Sequence, residues 1–278
     1  MAARRSKILV IGAGRLGGAL ALSLSAHRWP VRVLSRTEEG RSRLLALGLK
    51  PAQPRDLTQA SVALLCVPDK AVPEVARELA PRLGRGTALV HCAGALPLQA
   101  LGTHRGHPLG SFHPLCAVSD PRDSLAGHAV ALSTRSRTLK AVLRRMAEDL
   151  ELQVLEVPEN RRAAYHAGAV LSAGSAVALM SVAVEALGLA GIGEQQALAA
   201  LLPLLRSSVR GMEARGLSKG LTGPVARGDS DVVAAHLSAL PPEAAAVYRL
   251  LSLRALRLAQ SRLPPEALSK LTSLLMER

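Results

Sequence analysis

The chain has 278 residues, 49% of them hydrophobic, which is long enough for two domains with apolar cores of their own. Only one Trp, two Tyr and one Phe occur, while the formal net charge is +14. Because the basic residues are scattered and aromatic stacking platforms are scarce, we do not expect nucleic acid as a partner. The positive charge favours small anionic ligands instead.

The first predicted element is a strand at residues 8–11, followed by a glycine-rich loop and a helical pattern from Gly18. A G-x-G-x-x-G loop between a strand and a helix is typical of dinucleotide binding, because the glycines let the backbone approach a pyrophosphate. The helix start then offers free N–H groups to the phosphates. A glycine-rich turn without a ligand is the alternative. The predicted loop residues are Gly12, Ala13, Gly14, Arg15, Leu16 and Gly17.

The second predicted strand, residues 31–34, ends at Ser35, Arg36 and Thr37. NAD sites usually carry Asp or Glu here, which binds the ribose 2′-hydroxyl. Two hydroxyls and a guanidinium suit a 2′-phosphate better, so these three residues predict NADP (NADPH) as the cofactor. The alternative is that the arginines in this region form an ordinary solvated surface.

Strand and helix patterns continue to alternate up to Pro158, which predicts a mostly parallel, doubly wound α/β sheet covered on both faces. We assign residues 1–158 to this dinucleotide-binding domain. Ligands lie beyond the carboxyl ends of such strands, which adds Val67, Pro68 and Cys92 to the predicted cofactor site. The remaining predicted strands are 61–67, 87–92, 110–113, 128–132 and 153–157, with helices at about 72–83 and before Leu150.

The cysteines and the amino-terminal residues indicate the cellular compartment of the protein. Cys66, Cys92 and Cys116 show neither metal-ligand nor disulfide spacing, so we predict reduced thiols, no metal site and a cytoplasmic protein. The basic start, residues 1–7, leads into only four apolar residues, which is too short for a signal peptide.

After Pro158 the pattern is helical, and we assign residues 159–278 to an all-helical domain. Residues 167–184 carry no charge and are long enough for a membrane span. Because they are mostly Ala, Gly and Ser, we predict a buried central helix and no membrane partner. The apolar helices exceed what one small bundle can hide, which predicts a homodimer through this domain. The predicted helices are 160–189, 194–214, 224–238, 242–262 and 264–277.

Three residues are candidates for catalysis. His113, held extended by Pro114, and His166, beside Tyr165, suit proton donation near neutral pH. A structural role for His113, and an exposed position for His166 near its helix start, are the alternatives. Arg227 lies in a rigid polar loop and suits a substrate carboxylate, although a surface ion pair with Asp229 would explain it too.

Five motifs and one further histidine, taken in the order in which they occur, resemble the pattern of a known family. They are Gly12–Gly17, His91–Gly94, His113–Leu115, Tyr165–Ala167 and Leu221–Asp229, with His236 beyond. The chain resembles the family in which a Rossmann-like domain precedes the helical domain of unknown function 2520. That family is similar to ketopantoate reductases, pyrroline-5-carboxylate reductases and the wider 6-phosphogluconate-dehydrogenase-like group. The resemblance implies a nicotinamide cofactor between the domains, reduction of a small acid, and dimerisation through helices.

One position departs from the family pattern, since Gly174 stands where relatives usually carry an asparagine. This puts catalysis in doubt and leaves dinucleotide binding intact. We predict an NADPH-dependent oxidoreductase that reduces a small keto (or imino) acid, with ketopantoate as one candidate, in the cleft between domains. The alternative is a non-catalytic dinucleotide-binding sensor or partner subunit.

Overall fold

The computed structural model describes residues 5–277, so the first four residues of the basic start lie outside the described part. The chain divides into two compact units, one ending at Ala173 and the other beginning at Gly174. The predicted domain boundary at Pro158 lies fifteen residues earlier. The difference arises because the helix after Pro158 is hydrogen-bonded to the sheet through Arg162 and Tyr165.

The first unit is built on a seven-stranded sheet. Its strands follow the order β2-β1-β3-β4-β5-β6-β7, and all neighbours are parallel except β5 and β6. This confirms the predicted mostly parallel, doubly wound arrangement. The strands are β1 (Ile8–Ile11), β2 (Val31–Leu34), β3 (Val62–Leu65), β4 (Ala88–His91), β5 (Leu109–Leu115), β6 (Ala129–Thr134) and β7 (Gln153–Glu156).

Helices cover both faces of this sheet, so the central strands are apolar on both sides. Along β3 and β4, Leu64 and Val90 pack into one core cluster, while Leu65 and Leu89 pack into a second cluster on the other face. The helices of this unit are α1 (Arg15–Ala26), α2 (Glu38–Ala46), α3 (Pro54–Gln59), α4 (Val72–Leu79), α5 (Arg137–Asp149) and α6 (Arg162–Ser172).

Strand β5 differs from its prediction, which had it stop before Pro114. The strand runs through Pro114 to Leu115, pairing with β6 along its whole length. Its pairing with β4 ends at Ser111. Beyond Ser111 one edge of β5 therefore has no neighbouring strand in the described sheet, and proline is tolerated at such an edge because no ladder donor is lost.

The second unit is all-helical, as predicted. A small core of Val225, Val233, Leu256, Leu271 and Leu275 holds its later helices together. The long helix α8 is kinked at Gly216, whose φ of 71° is outside the helical region. The helices are α7 (Gly174–Leu189), α8 (Glu194–Gly220), α9 (Pro224–Arg227), α10 (Ser230–Ala239), α11 (Pro242–Ala259) and α12 (Pro265–Met276).

The predicted buried central helix is wrong in two respects. Its backbone breaks at Ala173, with φ −114° and ψ −78°, so one predicted helix becomes α6 and α7. The helical stretch 159–189 contains an 18-residue window that is long and apolar enough to cross a membrane, with a mean hydropathy of 1.9, yet none of that window is buried. The apolar composition of this stretch predicts that its surface is shielded from water, but it does not identify the molecule that shields it.

Candidate functional site

The loop between β1 and α1 is shaped by two of its three glycines. Gly12 has a φ of +109°, and a Cβ there would lie 2.3 Å from the carbonyl oxygen of Cys66. A Cβ on Gly17 would lie 2.2 Å from the carbonyl oxygen of Gly12. Gly14 is different, because a Cβ there would meet no atom within 4 Å. The fold thus requires Gly12 and Gly17, whereas Gly14 leaves open space on the loop.

The start of α1 fits an anion. Its N-cap residue, Gly14, supplies no capping side chain, and its first turn carries no acidic residue. The first N–H groups of a helix lack intrahelical partners and carry a partial positive charge. Together with the open space at Gly14, these donors fit the pyrophosphate of a dinucleotide. Arg15 and Leu16 belong to this first turn.

The residues after β2 have distinct local roles. Thr37 Oγ1 accepts a hydrogen bond from the Gly40 amide at 3.1 Å and so caps α2, while Ser35 Oγ donates to the Thr37 carbonyl at 3.1 Å. The side chain of Arg36 is 64% exposed, and its guanidinium is 3.9 Å from the carboxylate of Glu78. Such a loose exposed pair contributes little energy, so Arg36 is free to turn toward a phosphate.

Strand register brings the other predicted cofactor residues to the same edge. Ile11 pairs with both Leu34 and Leu65, and Leu65 pairs with His91. Val67, Pro68 and Cys92, which follow β3 and β4, therefore lie beside the glycine loop. The Val67 side chain, for example, lies 3.5 Å from where a Gly12 Cβ would be.

A cluster of histidine and tyrosine rings lies beyond the carboxyl end of β4, also in the first unit. His113 Nδ1 is 2.8 Å from the Tyr165 hydroxyl, and the rings of His113 and His166 meet edge to face with centroids 5.9 Å apart. Gly94 makes room for both imidazoles, because a Cβ there would lie 2.4 Å from His166 Nδ1 and 2.9 Å from His113 Nε2. The structure thus brings His113 and His166 together, although they are 53 positions apart in the chain.

A buried arginine, Arg162, is hydrogen-bonded to the strand and the loop that lie beside this cluster. Arg162 is 1% exposed and donates to Ser111 Oγ at 3.0 Å and to the Ala93 carbonyl at 2.9 Å. Glu159 accepts a hydrogen bond from the Leu98 amide at 2.7 Å. Both residues therefore tie the start of α6 to the loop after β4. No sequence motif pointed to this role, although Arg162 lies one turn before His166.

Burial keeps the central histidines neutral. Desolvation, and then the positive charge of Arg162, lowers the pKa of His91 to about 4. Desolvation, followed by the charges of His166 and Arg162, lowers the pKa of His113 to about 4. A neutral His113 that accepts a hydrogen bond from the Tyr165 hydroxyl at Nδ1 carries its own hydrogen on Nε2, the nitrogen nearest Gly94.

These shifts predict an acid-sensitive fold. Both histidines have a lower pKa when folded than the usual 6.5, so below that pH the unfolded chain binds protons that the native state does not. Their contribution to stability is fully present above pH 6.5 and is lost as the pH falls toward 4. At ~1.4 kcal/mol per pKa unit, His91 accounts for on the order of 3 kcal/mol.

Urea unfolding between pH 7 and pH 4 measures this effect. We expect His91→Asn to lose less unfolding free energy over that range than the unmodified chain does. His27→Asn, at an exposed histidine, should follow the unmodified chain. Equal pH dependence in all three proteins would contradict the assignment to His91.

Arg227, the third predicted catalytic residue, lies in the second unit. It ends the short helix α9, and its Nε donates to Asp229 Oδ2 at 2.8 Å. The arginine side chain is 63% exposed. Within this unit Arg227 therefore forms an exposed ion pair with Asp229, which was the alternative interpretation. Binding of a substrate carboxylate by Arg227 stays a prediction.

Two family models match the chain. Residues 7–94 match the family described as coenzyme F420-dependent NADP oxidoreductase, and residues 129–255 match the domain of unknown function DUF2520. The pairing and order of these domains confirm the resemblance that the motifs carried. No curated protein sequence matches.

Solved structures with the same fold cover nearly the whole chain. A Bacteroides fragilis protein, provisionally assigned as an NADP oxidoreductase, is 25% identical with a TM-score of 0.76, over 91% of this chain and 99% of that one. A Thermotoga maritima protein is 24% identical with a TM-score of 0.72, over 92% and 99%. A pyrroline carboxylate reductase of Plasmodium falciparum, solved with NADP bound, is 11% identical with a TM-score of 0.65, over 98% of each chain.

Proposed function

We infer that this chain, which joins a dinucleotide domain of the NADP oxidoreductase family to a DUF2520 domain, reduces a small keto or imino acid with NADPH. The observation that carries the proposal is the shared sheet edge of the first unit. There the glycine loop after β1 lies on the same side as the His113–Tyr165–His166 cluster after β4 and β5. A dinucleotide loop and proton-carrying side chains are the two requirements of a nicotinamide-dependent reductase.

The cofactor is held, in this proposal, by residues of the first unit alone. Gly14 and the N–H groups of α1 bind the pyrophosphate, and Arg36 binds the 2′-phosphate. Val67, Pro68 and the backbone at Cys92, whose side chain is in the core, lie along the path toward the nicotinamide. When bound, the reduced nicotinamide supplies a hydride to an electrophilic carbon. The residues of this chain supply orientation, water exclusion and the proton.

His166 is the proton donor that the geometry favours. The pKa of His113 is about 4, so at neutral pH its ring is uncharged and is not an imidazolium that could donate a proton. We assign it a positioning role, with Nδ1 held by Tyr165 and Nε2 directed toward Gly94 and His166. Neither ring nitrogen of His166 has a hydrogen-bond partner among the described residues. Nδ1 is buried against Gly94, so Nε2 is the nitrogen available for a substrate oxygen or nitrogen.

In this proposal the substrate is a small anion. Arg227 breaks its ion pair with Asp229 and binds the substrate carboxylate instead. Guanidinium and carboxylate groups form strong paired hydrogen bonds, which gives this residue type its selectivity. We further propose that the protein works in the cytoplasm and engages neither nucleic acid nor a membrane.

Preference for NADPH over NADH tests the cofactor assignment. We expect NADPH to bind on the order of tenfold more tightly, since a charge-assisted contact contributes ~1.5–3 kcal/mol. Arg36→Asp should remove or reverse that preference in a fluorescence titration. Arg55→Asp is the matched control, because it changes the charge equally beside Lys7 and Pro30, near the amino end of β1. Equal affinities in the unmodified protein would refute the NADP assignment.

A homodimer through the second unit is the proposed assembly. No residue of α7 is buried, and in α8 only Ala197 is. Val177 and Leu204 are 73% and 63% exposed. We expect light scattering at micromolar concentration to give a dimer that Val177→Asp dissociates. Leu45→Asp, at a leucine of α2 that is 61% exposed, should stay dimeric, and a monomeric unmodified chain would contradict the proposal.

Oxidation of NADPH in the presence of a panel of 2-keto acids and cyclic imino acids tests the reaction itself. Turnover with at least one substrate supports the reductase. Tight NADPH binding without turnover on any of them would favour the non-catalytic dinucleotide binder instead. Gly174, where a Cβ meets no atom within 4 Å, allows a second comparison, because Gly174→Asn should keep or raise turnover.

A further inference from the structure

Two cysteines that are distant in sequence lie side by side at the edge of the sheet. Cys66 follows β3 and Cys92 follows β4, and their sulfurs are 3.6 Å apart. The spacing of 26 residues gave no sign of this contact, because strand register creates it. Leu65 pairs with His91, so the next residue on each strand is again opposite, and both cysteines join the core face of Leu64 and Val90.

The position of this pair is compatible with a covalent bond. Neighbouring strands lie about 4.8 Å apart, and disulfides join Cα atoms that are about 4.4–6.8 Å apart. The amides of both residues are hydrogen-bonded to the neighbouring strand, Cys66 to the Ile11 carbonyl at 2.8 Å and Cys92 to the Leu65 carbonyl at 3.1 Å, so strand spacing sets the distance between their backbones. Cys66 is half-buried and Cys92 is buried, so Cys66 is the more accessible of the two.

Cys66 also forms the floor of the glycine loop. Its carbonyl oxygen lies 2.3 Å from where a Gly12 Cβ would be, and its own Cβ lies 3.1 Å from the corresponding position on Gly17. The loop therefore packs directly on this residue with no space to spare. A displacement of Cys66 toward Cys92 must shift the backbone that receives the pyrophosphate.

We propose that Cys66 and Cys92 form a thiol–disulfide site that is oxidised by low-molecular-weight disulfides and that weakens NADPH binding when it closes. The coupling to NADPH rests on the proposed function. In the first step the Cys66 thiolate attacks the small disulfide, forms a mixed disulfide and releases one thiol. Cys92 then attacks the Cys66 sulfur and releases the second thiol. Two protein thiols are oxidised, one disulfide is reduced, and the two protons go to the released thiolates.

The order of attack follows from the environment of each sulfur. The hydrogen bond with Cys66 and burial raise the pKa of the Cys92 thiol well above its usual range. Since the thiolate is the nucleophile, Cys92 reacts second and slowly, after Cys66 has been modified. Closure brings the sulfurs from 3.6 Å to a bond length of about 2.05 Å, which draws Cys66 away from the loop.

Oxidised glutathione, followed by mass spectrometry without reduction, tests the site. We expect the unmodified protein to lose the mass of two hydrogens and to yield a linked Cys66–Cys92 peptide. Cys92→Ser should stop at a glutathione adduct on Cys66. Cys116→Ser is the matched control and should oxidise like the unmodified chain. A stable glutathione adduct on Cys66 of the unmodified chain, or a link through Cys116, would overturn the proposed site.

NADPH titration of the two states tests the coupling. We expect the oxidised protein to bind NADPH at least tenfold more weakly, and dithiothreitol to restore the affinity. A linked peptide with unchanged NADPH affinity would overturn the coupling. If the reduced protein fails to bind NADPH while the linked peptide still forms, dinucleotide binding is refuted and the thiol site stands.

Discussion

Replacing Gly14 by alanine is expected to weaken NADPH binding by about ten- to a hundredfold, or ~1.4–2.8 kcal/mol, while changing the melting temperature only slightly. The reason is that a Cβ at this position meets no protein atom within 4 Å, and the backbone there does not need a positive φ. The added methyl group therefore clashes with nothing in the fold, and the only cost to stability is the preference for glycine over alanine at the N-cap of α1. It occupies the space through which a pyrophosphate would approach the start of α1.

The other loop glycines supply the matched comparison. Gly17→Ala places a Cβ 2.2 Å from the Gly12 carbonyl oxygen, so we expect it to lower the melting temperature as well as the affinity. Thermal unfolding and NADPH titration of both variants separate the two effects. If Gly14→Ala binds NADPH as tightly as the unmodified protein, the cofactor does not lie on this loop.

The fold was largely predictable because its signals are local. Short, mostly apolar runs that end before Gly12, Ser35 and Pro68 mark β1, β2 and β3 within a residue or two, and the change at Pro158 marks the onset of helices. The break at Ala173 has only a weak local signal. No proline marks it, but Gly174 and Ser175 follow directly, and kinks occur at such Gly/Ser pairs. Because small residues are also compatible with a continuous helix, one long helix was predicted here.

The site was predictable only in part, because strand register rather than spacing assembles it. The positions of strand ends singled out His113 and the predicted cofactor residues, since ends of parallel strands share one edge. The contact of Tyr165 with His113 and that of Cys66 with Cys92 join residues 52 and 26 positions apart. A buried arginine such as Arg162 is equally hard to foresee, since arginine is almost never fully buried unless it is paired.

Catalysis is expected to depend on His166 more than on any other side chain of the ring cluster. His166→Ala should lower the turnover number by about 10²–10⁴, the usual contribution of a positioned general acid. NADPH affinity should be unchanged, because the ring lies against Gly94 and His113 rather than the glycine loop. Steady-state kinetics and NADPH titration on the same protein measure both quantities.

Two variants separate the loss of a proton donor from a general disturbance of the cluster. Tyr165→Phe removes the hydroxyl that holds His113 Nδ1 at 2.8 Å and keeps the ring, so we expect a smaller loss of turnover, about tenfold. His27→Ala, at an exposed histidine of the same protein, should leave turnover unchanged. Because His166 is proposed to hold the reacting proton and Tyr165 only orients a neighbour, the order of the effects is the decisive result. A loss in Tyr165→Phe that exceeds the loss in His166→Ala would transfer the role of proton donor to the tyrosine hydroxyl.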